Sequence, residues 1–145
     1  MNKKKKNYSI SEAADYLIEQ LLDMGFTIQR YDAYSTNSIY LKLDYGLCNS
    51  IRISDHNGKK HLHYMFNVLT SHKGNLRRRI DEFTRYYYKS NKHQMNMLLE
   101  KIRSHRKKKM AYYGGPIKYR RAMKEQLEMN KHNKGFWSMA KVVNN

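Results

Sequence analysis

Hydrophobic positions change period along this chain, from helical to alternating and back to helical. Ile10, Ala13, Ala14, Leu17, Ile18, Leu21 and Leu22 recur three or four apart, so the spacing predicts an amphipathic helix. Ser9 is placed to cap its start, Glu12 to complete a capping box, and Tyr8 to staple onto Ala13. Asp15, Glu19 and Asp23 fall on the other face, and Gly25 stops the helix.

Period-two alternation follows. Phe26, Ile28 and Tyr31 suggest a short strand. In Ser38 to Tyr45, Ile39, Leu41 and Leu43 alternate with Tyr40, Lys42 and Asp44; in Ser50 to Asp55, Ile51 and Ile53 alternate with Arg52 and Ser54. His56-Asn57-Gly58-Lys59 carries Asn-Gly, a strong short hairpin signal. The return strand, His61 to Leu69, places Leu62, Tyr64, Phe66 and Val68 on one side and His61, His63, Met65 and Asn67 on the other. These strands read as an antiparallel meander with one face on a core, in which Arg52 and Ser54 lie near His61 and His63.

After Gly74 the helical period returns. Leu76, Ile80, Phe83 and Tyr87 predict a helix flanked by Arg77, Arg78, Arg79 and Arg85. Asn91 marks a break or cap before a second helix, from about Lys92 to Lys109, with Met95, Leu98, Leu99 and Ile102 on one face and a cationic end. Tyr112-Tyr113-Gly114-Gly115-Pro116 breaks it, a third helix spans Lys118 to Met129, and Phe136, Trp137, Met139, Val142 and Val143 form an apolar patch. The expected class is α+β: an N-terminal helix, a three- to four-stranded antiparallel meander, then basic helices. The expected division is an α-β-β-β-α domain over 8–90 and a basic helical extension over 91–145.

Charge sharpens this outline. Residues 71–131 hold 18 Lys and Arg against 5 Asp and Glu, whereas residues 1–70 hold 9 against 7, in a chain of net charge +17. Clustered cations release condensed counterions on meeting phosphates, so the imbalance points to a nucleic-acid partner. Six tyrosines share the basic stretch: Tyr86, Tyr87, Tyr88, Tyr112, Tyr113 and Tyr119. Aromatic rings among cations can stack on bases or sugars. Arg77, Arg78 and Arg79 fall near a predicted helix N-terminus, where the dipole disfavours cations and free amides suit phosphate. The expected nucleic-acid contacts are Arg52, Lys73, Arg77, Arg78, Arg79, Arg85, Arg103, Arg106, Lys107, Lys108, Lys109, Tyr112, Tyr113, Arg120 and Arg121, with Tyr112 and Tyr113 on a flexible glycine joint.

Other chemistry is thinner. One cysteine, Cys48, supports neither an internal disulfide nor a cysteine-based zinc site, and points to the cytoplasm. Met1 to Lys6 is basic but no apolar signal core follows, and no apolar run is long enough to span a membrane. No catalytic set, metal or cofactor is expected. His61 and His63 share a strand face without a fixed carboxylate beside them.

Three resemblances accompany these patterns. Asp55-His56, Asn67 and His72 resemble the HNH nucleases, which implies a general-base His, a supporting Asn and a metal-ligating His. Asp44 and Asp55 offer an alternative two-carboxylate metal pair. The order helix, three strands, helix over residues 8–90 is similar to the double-stranded RNA-binding domain; that resemblance implies basic residues Lys73, Arg77, Arg78 and Arg79 at the start of the last helix. Ser50-Ile51-Arg52-Ile53-Ser54-Asp55-His56, within Ser38 to Val68, resembles a strand phrase of small phage-borne proteins of uncharacterised activity and implies a mobile-element origin. The leading expectation is a non-enzymatic, nucleic-acid-binding accessory protein of a phage or mobile element. The alternatives are an anti-defence inhibitor of the anti-CRISPR type, covering a host protein or ribonucleoprotein, and a metal-dependent HNH-like nuclease.

Overall fold

The capping box forms as the sequence specifies. In the computed structural model, which describes residues 8–33, 38–54, 61–67, 83–131 and 140–143, helix α1 spans Ile10–Asp23. The Ser9 amide donates to Glu12 Oε1 (2.9 Å) and the Glu12 amide to Ser9 Oγ (3.1 Å), so two otherwise orphaned donors are satisfied. At the other end Phe26 N–H reaches Leu21 C=O and Gly25 N–H reaches Leu22 C=O, with Gly25 at φ +91°. This is a Schellman stop, which needs the left-handed conformation that glycine adopts at no steric cost.

Five strands then run as an antiparallel meander: β1 (Ile28–Asp32), β2 (Ser38–Leu43), β3 (Ser50–Ser54), β4 (His61–Asn67) and β5 (Phe83–Lys89). Helix α2 (Lys92–Tyr113) and helix α3 (Pro116–Asn130) follow, and β6 (Lys141–Val143) returns to pair with β1. The sheet order is β5-β4-β3-β2-β1-β6. Arg52 pairs with His63 and Ser54 with His61, the register expected from the sequence. The Asn57-Gly58 turn that suggested it lies outside the described residues.

The predicted helical stripe through Phe83 and Tyr87 is corrected at its C-terminal part. Residues Phe83–Lys89, Arg85 included, form β5 against β4, with Tyr86 opposite Tyr64 and Tyr88 opposite Leu62. Phe-Thr-Arg-Tyr-Tyr-Tyr is aromatic and β-prone, and Tyr86 and Tyr88 fit a period of two as well as Phe83 and Tyr87 fit a period of four. The earlier part of that stripe, with Arg77, Arg78, Arg79 and Lys73, lies outside the described residues, as does the patch at Phe136 to Met139.

Helices α1 and α2 cover one face of the sheet. Ala13, Ala14, Leu17 and Leu21 of α1 meet Ile28, Ile39, Leu41, Leu43, Ile51 and Ile53 of the sheet and Met95, Leu98, Leu99 and Ile102 of α2 in one core. The start of the basic segment 91–145 thus shares its core with α1 and the sheet. Tyr8 N–H donates to Ser90 C=O (2.7 Å) and Ser90 Oγ returns a bond to Tyr8 C=O (3.0 Å), fixing the approach to α1 beside the approach to α2. The Asn91 side chain caps α2 by accepting from the Gln94 amide (2.9 Å).

Candidate nucleic-acid interface

The chain segregates its charge by element. Helix α1 carries Glu12, Asp15, Glu19 and Asp23 and no cation, all four acids exposed. Residues Lys101 to Lys124, which span the second half of α2 and the first half of α3, carry ten Lys and Arg and no carboxylate. Eight of these point to solvent: Lys101, Arg103, Lys107, Lys108, Lys118, Arg120, Arg121 and Lys124. Two exposed ion pairs here are local, Arg103 with Glu100 and Lys131 with Glu128, each at 3.0 Å. Such pairs hold their cations weakly.

Gly114 and Gly115 join the two helices in two residues. Gly115 N–H and Gly114 N–H close a Schellman motif on Met110 and Ala111, and both glycines have positive φ. Tyr112 and Tyr113 therefore belong to the last turn of α2, which the motif closes at the two glycines. At 1.5 Å per residue, Lys108 and Arg121 each lie within about 10 Å of the joint along their helices. The corner thus brings Lys107, Lys108, Lys118, Arg120 and Arg121 toward one end of the pair.

Two of the expected contacts, Arg106 and Lys109, point inward and are corrected. Both continue the apolar stripe of Met95, Leu99 and Ile102 at three- and four-residue steps, so the helix turns them toward the core. Arg106 is committed to Asp44, which is fully buried in the 3₁₀ turn Asp44–Gly46 after β2. Arg106 Nε donates to Asp44 Oδ2 (2.7 Å) and Nη2 to Oδ1 (3.3 Å). The Thr27 amide gives Oδ1 a third bond (3.0 Å) and Tyr119 O–H gives Oδ2 a fourth (2.7 Å). Asp44 and Tyr45 hold left-handed φ values of 52° and 57°. This uncommon backbone persists because the four donors fix the carboxylate inward. The alternation predicts Asp44 as the polar end of a strand; the turn ends β2 at Leu43 instead.

The same guanidinium caps α1. Arg106 Nη1 and Nη2 donate to the Met24 and Gly25 carbonyls (3.4 and 3.2 Å), and its carbon lies 4.3 Å from the centroid of the Phe26 ring. One side chain of α2 thereby ties the end of α1, the β2–β3 turn and, through Tyr119, helix α3. Burial works against the Arg106 charge, and Asp44 with Tyr119 more than offsets it, so its pKa is raised. Burial first, then Asp44, drives the Tyr119 hydroxyl far above its ordinary range.

His105 and Lys109 line the neighbouring interior. His105 Nδ1 lies 4.0 Å from Cys48 Sγ. Burial, then the charges of Lys109 and Lys108, lower its pKa to about 3, so the ring is neutral at ordinary pH. Lys109 is 6% exposed and its pKa is lowered by burial. These groups support the core and do not face a polyanion.

Arg52 and Arg85 lie elsewhere. The register puts Arg52 in the cross-strand row Tyr31, Tyr40, Arg52, His63, Tyr87 and Arg85 in the row Gln29, Lys42, Ser50, Met65, Arg85. Tyr40 and Arg52 alternate with the core residues Ile39, Leu41, Ile51 and Ile53, so they belong to the sheet face away from α1 and α2. Arg52 is half-buried over the Tyr40 ring, 5.7 Å from its centroid. A groove of about 620 Å³ lies between α1 and α2, floored by Phe26 and Leu99 and rimmed by Arg103, Lys107 and Glu100. Its α1 side is formed by Gln20 and Met24.

No known protein family, curated protein or solved structure matches this chain. Function must be read from geometry and charge. Among the described residues no three His, Cys, Asp or Glu are grouped to hold a metal, and no helix is long and apolar enough to cross a membrane. Of the HNH-like set, Asn67 ends β4, while Asp55, His56 and His72 lie outside the described residues. Asp44, half of the two-carboxylate alternative, is spent on Arg106 and Tyr119.

What sequence reasoning missed was the Asp44–Arg106–Tyr119 cluster. Its signal was present, since the positions 95, 99, 102, 106 and 109 share one helix face whatever residues fill them.

Proposed function

We propose that this chain binds nucleic acid through the α2–α3 corner, as an accessory protein without catalysis of its own. The carrying observation is the carboxylate-free run of eight exposed cations from Lys101 to Lys124, set against an all-acidic α1. Arg103, Lys107, Lys108, Arg120 and Arg121 engage phosphates, and the exposed acids of α1 repel the strand from that helix. That polarity fixes which side of the protein meets the ligand. An origin in a phage or mobile element, expected from the segment Ser38 to Val68, is part of this proposal.

Fluorescence anisotropy of labelled oligonucleotides over a salt series tests this. The affinity falls as salt rises from about 50 to 200 mM, with a log–log slope near −0.7 to −0.9 for each phosphate engaged. Arg120→Gln and Arg121→Gln each make that slope shallower by about one, whereas Glu19→Gln on α1 leaves it unchanged. An affinity independent of salt sinks the proposal.

A further inference from the structure

We propose that Tyr112 is a base-stacking platform for single-stranded polynucleotide, and that the corner selects single strands over duplexes. This rests on the phosphate-binding role above and adds what that role leaves open, the form of nucleic acid recognised.

The geometry singles out Tyr112 from its neighbours. The Tyr112 and Tyr113 rings meet edge-to-face, centroids 5.4 Å apart at 87°. Tyr113 meets Tyr119 in the same manner at 5.8 Å and 67°, and Tyr119 ends on the buried Asp44 carboxylate. Three rings therefore run from the core to the surface. The inner two are occupied: Tyr119 is fully buried and Tyr113 is half-buried. Tyr112 alone of the three is exposed, at 37%. Its ring is braced from behind, so much of the ordering cost of stacking is already met by the fold.

The surroundings suit an unpaired base on a phosphate backbone. Ile117, at the start of α3, is an apolar side chain that is 73% exposed. Lys108 lies one turn before Tyr112 on α2. The Lys118 stem folds back across the joint, since a Cβ on Gly114 would come 2.8 Å from Lys118 Cδ. An aromatic ring, an apolar neighbour and two cations, with no carboxylate nearby in sequence, are the parts of a sequence-tolerant single-strand site. In a duplex the base faces are already stacked and out of reach.

The test pairs a single-stranded oligonucleotide carrying 2-aminopurine with its duplex, titrated with the full chain and with Tyr112→Leu and Tyr112→Phe. The wild type changes the 2-aminopurine fluorescence and binds the single strand more tightly than the duplex. Tyr112→Leu weakens single-strand binding roughly 5- to 150-fold and abolishes the fluorescence change, with the salt slope unchanged; Tyr112→Phe retains both. Wild-type salt-dependent binding that Tyr112→Leu leaves unaltered overturns the stacking role and spares phosphate binding. Equal affinity for duplex and single strand overturns the selectivity. No binding of either form at low salt overturns both readings together.

Discussion

Replacing Asp44 with Asn probes the joint that holds the basic helices on the sheet. The substitution keeps the volume and removes the charge. Four donors converge on the wild-type carboxylate: two from Arg106, one from the Thr27 amide and one from Tyr119. An Asn side chain offers one accepting oxygen and turns an NH₂ toward the remaining donors. Arg106, 15% exposed, is then left without its carboxylate. Removing one partner of a buried pair costs about 3–5 kcal/mol. With a urea m-value of about 1–3 kcal/mol/M, the midpoint falls by about 1–5 M. Urea unfolding followed by circular dichroism measures this. Tyr119→Phe, which removes one donor to the carboxylate, costs about 1.5–3 kcal/mol in the same assay. Asp44→Asn with Arg106→Met costs less than the two single changes together, because the stranded charge is gone. A midpoint for Asp44→Asn within about 0.3 M of wild type refutes the reasoning, since the cluster would then contribute nothing net.

The remaining predictions concern the caps and the buried histidine. Ser9→Ala removes one half of the capping box and costs about 1 kcal/mol in thermal or urea unfolding. Gly114→Ala must place a side chain at φ +104° and against Lys118 Cδ, so it destabilises the corner by at least about 1 kcal/mol and lowers oligonucleotide affinity. His105 titrates near 3 in the fold and near 6.5 when unfolded, so the unfolded chain binds more protons in that window. Stability therefore falls as pH drops from 6.5 toward 3, by up to about 1.4 kcal/mol per pH unit, and His105→Gln flattens the fall; parallel curves for the two proteins would contradict the assignment.

Local rules carried most of the fold. Ser9, Glu12 and Gly25 bound α1 because caps depend on residues adjacent in the chain, and Ile39, Leu41, Ile51 and Ile53 set the β2–β3 register because a slip of one residue would turn them out of the core. Phe83–Lys89 was illegible because its aromatic residues satisfy both periods, and only pairing with β4 decides between them. Among the candidate site residues, Arg103, Lys107, Lys108, Arg120 and Arg121 are exposed, as their places off the apolar stripes imply. Arg106 and Lys109 were counted with them because a run of cations draws attention to charge rather than to helical phase. The partner of Arg106 lies 62 residues away, a distance that no local pattern spans.

The pairing of β6 with β1 has a consequence for synthesis. Until Lys141–Val143 emerge, the outer edge of Ile28–Arg30 lacks the strand that pairs with it in the finished sheet, although β2 already covers the other edge. At translation speeds of about 5–20 residues per second, that edge waits roughly 6–20 s between its own appearance and its closure. A bare backbone edge is a template for foreign strands, so the newborn chain passes through a window in which holdase chaperones have a target that the finished protein hides.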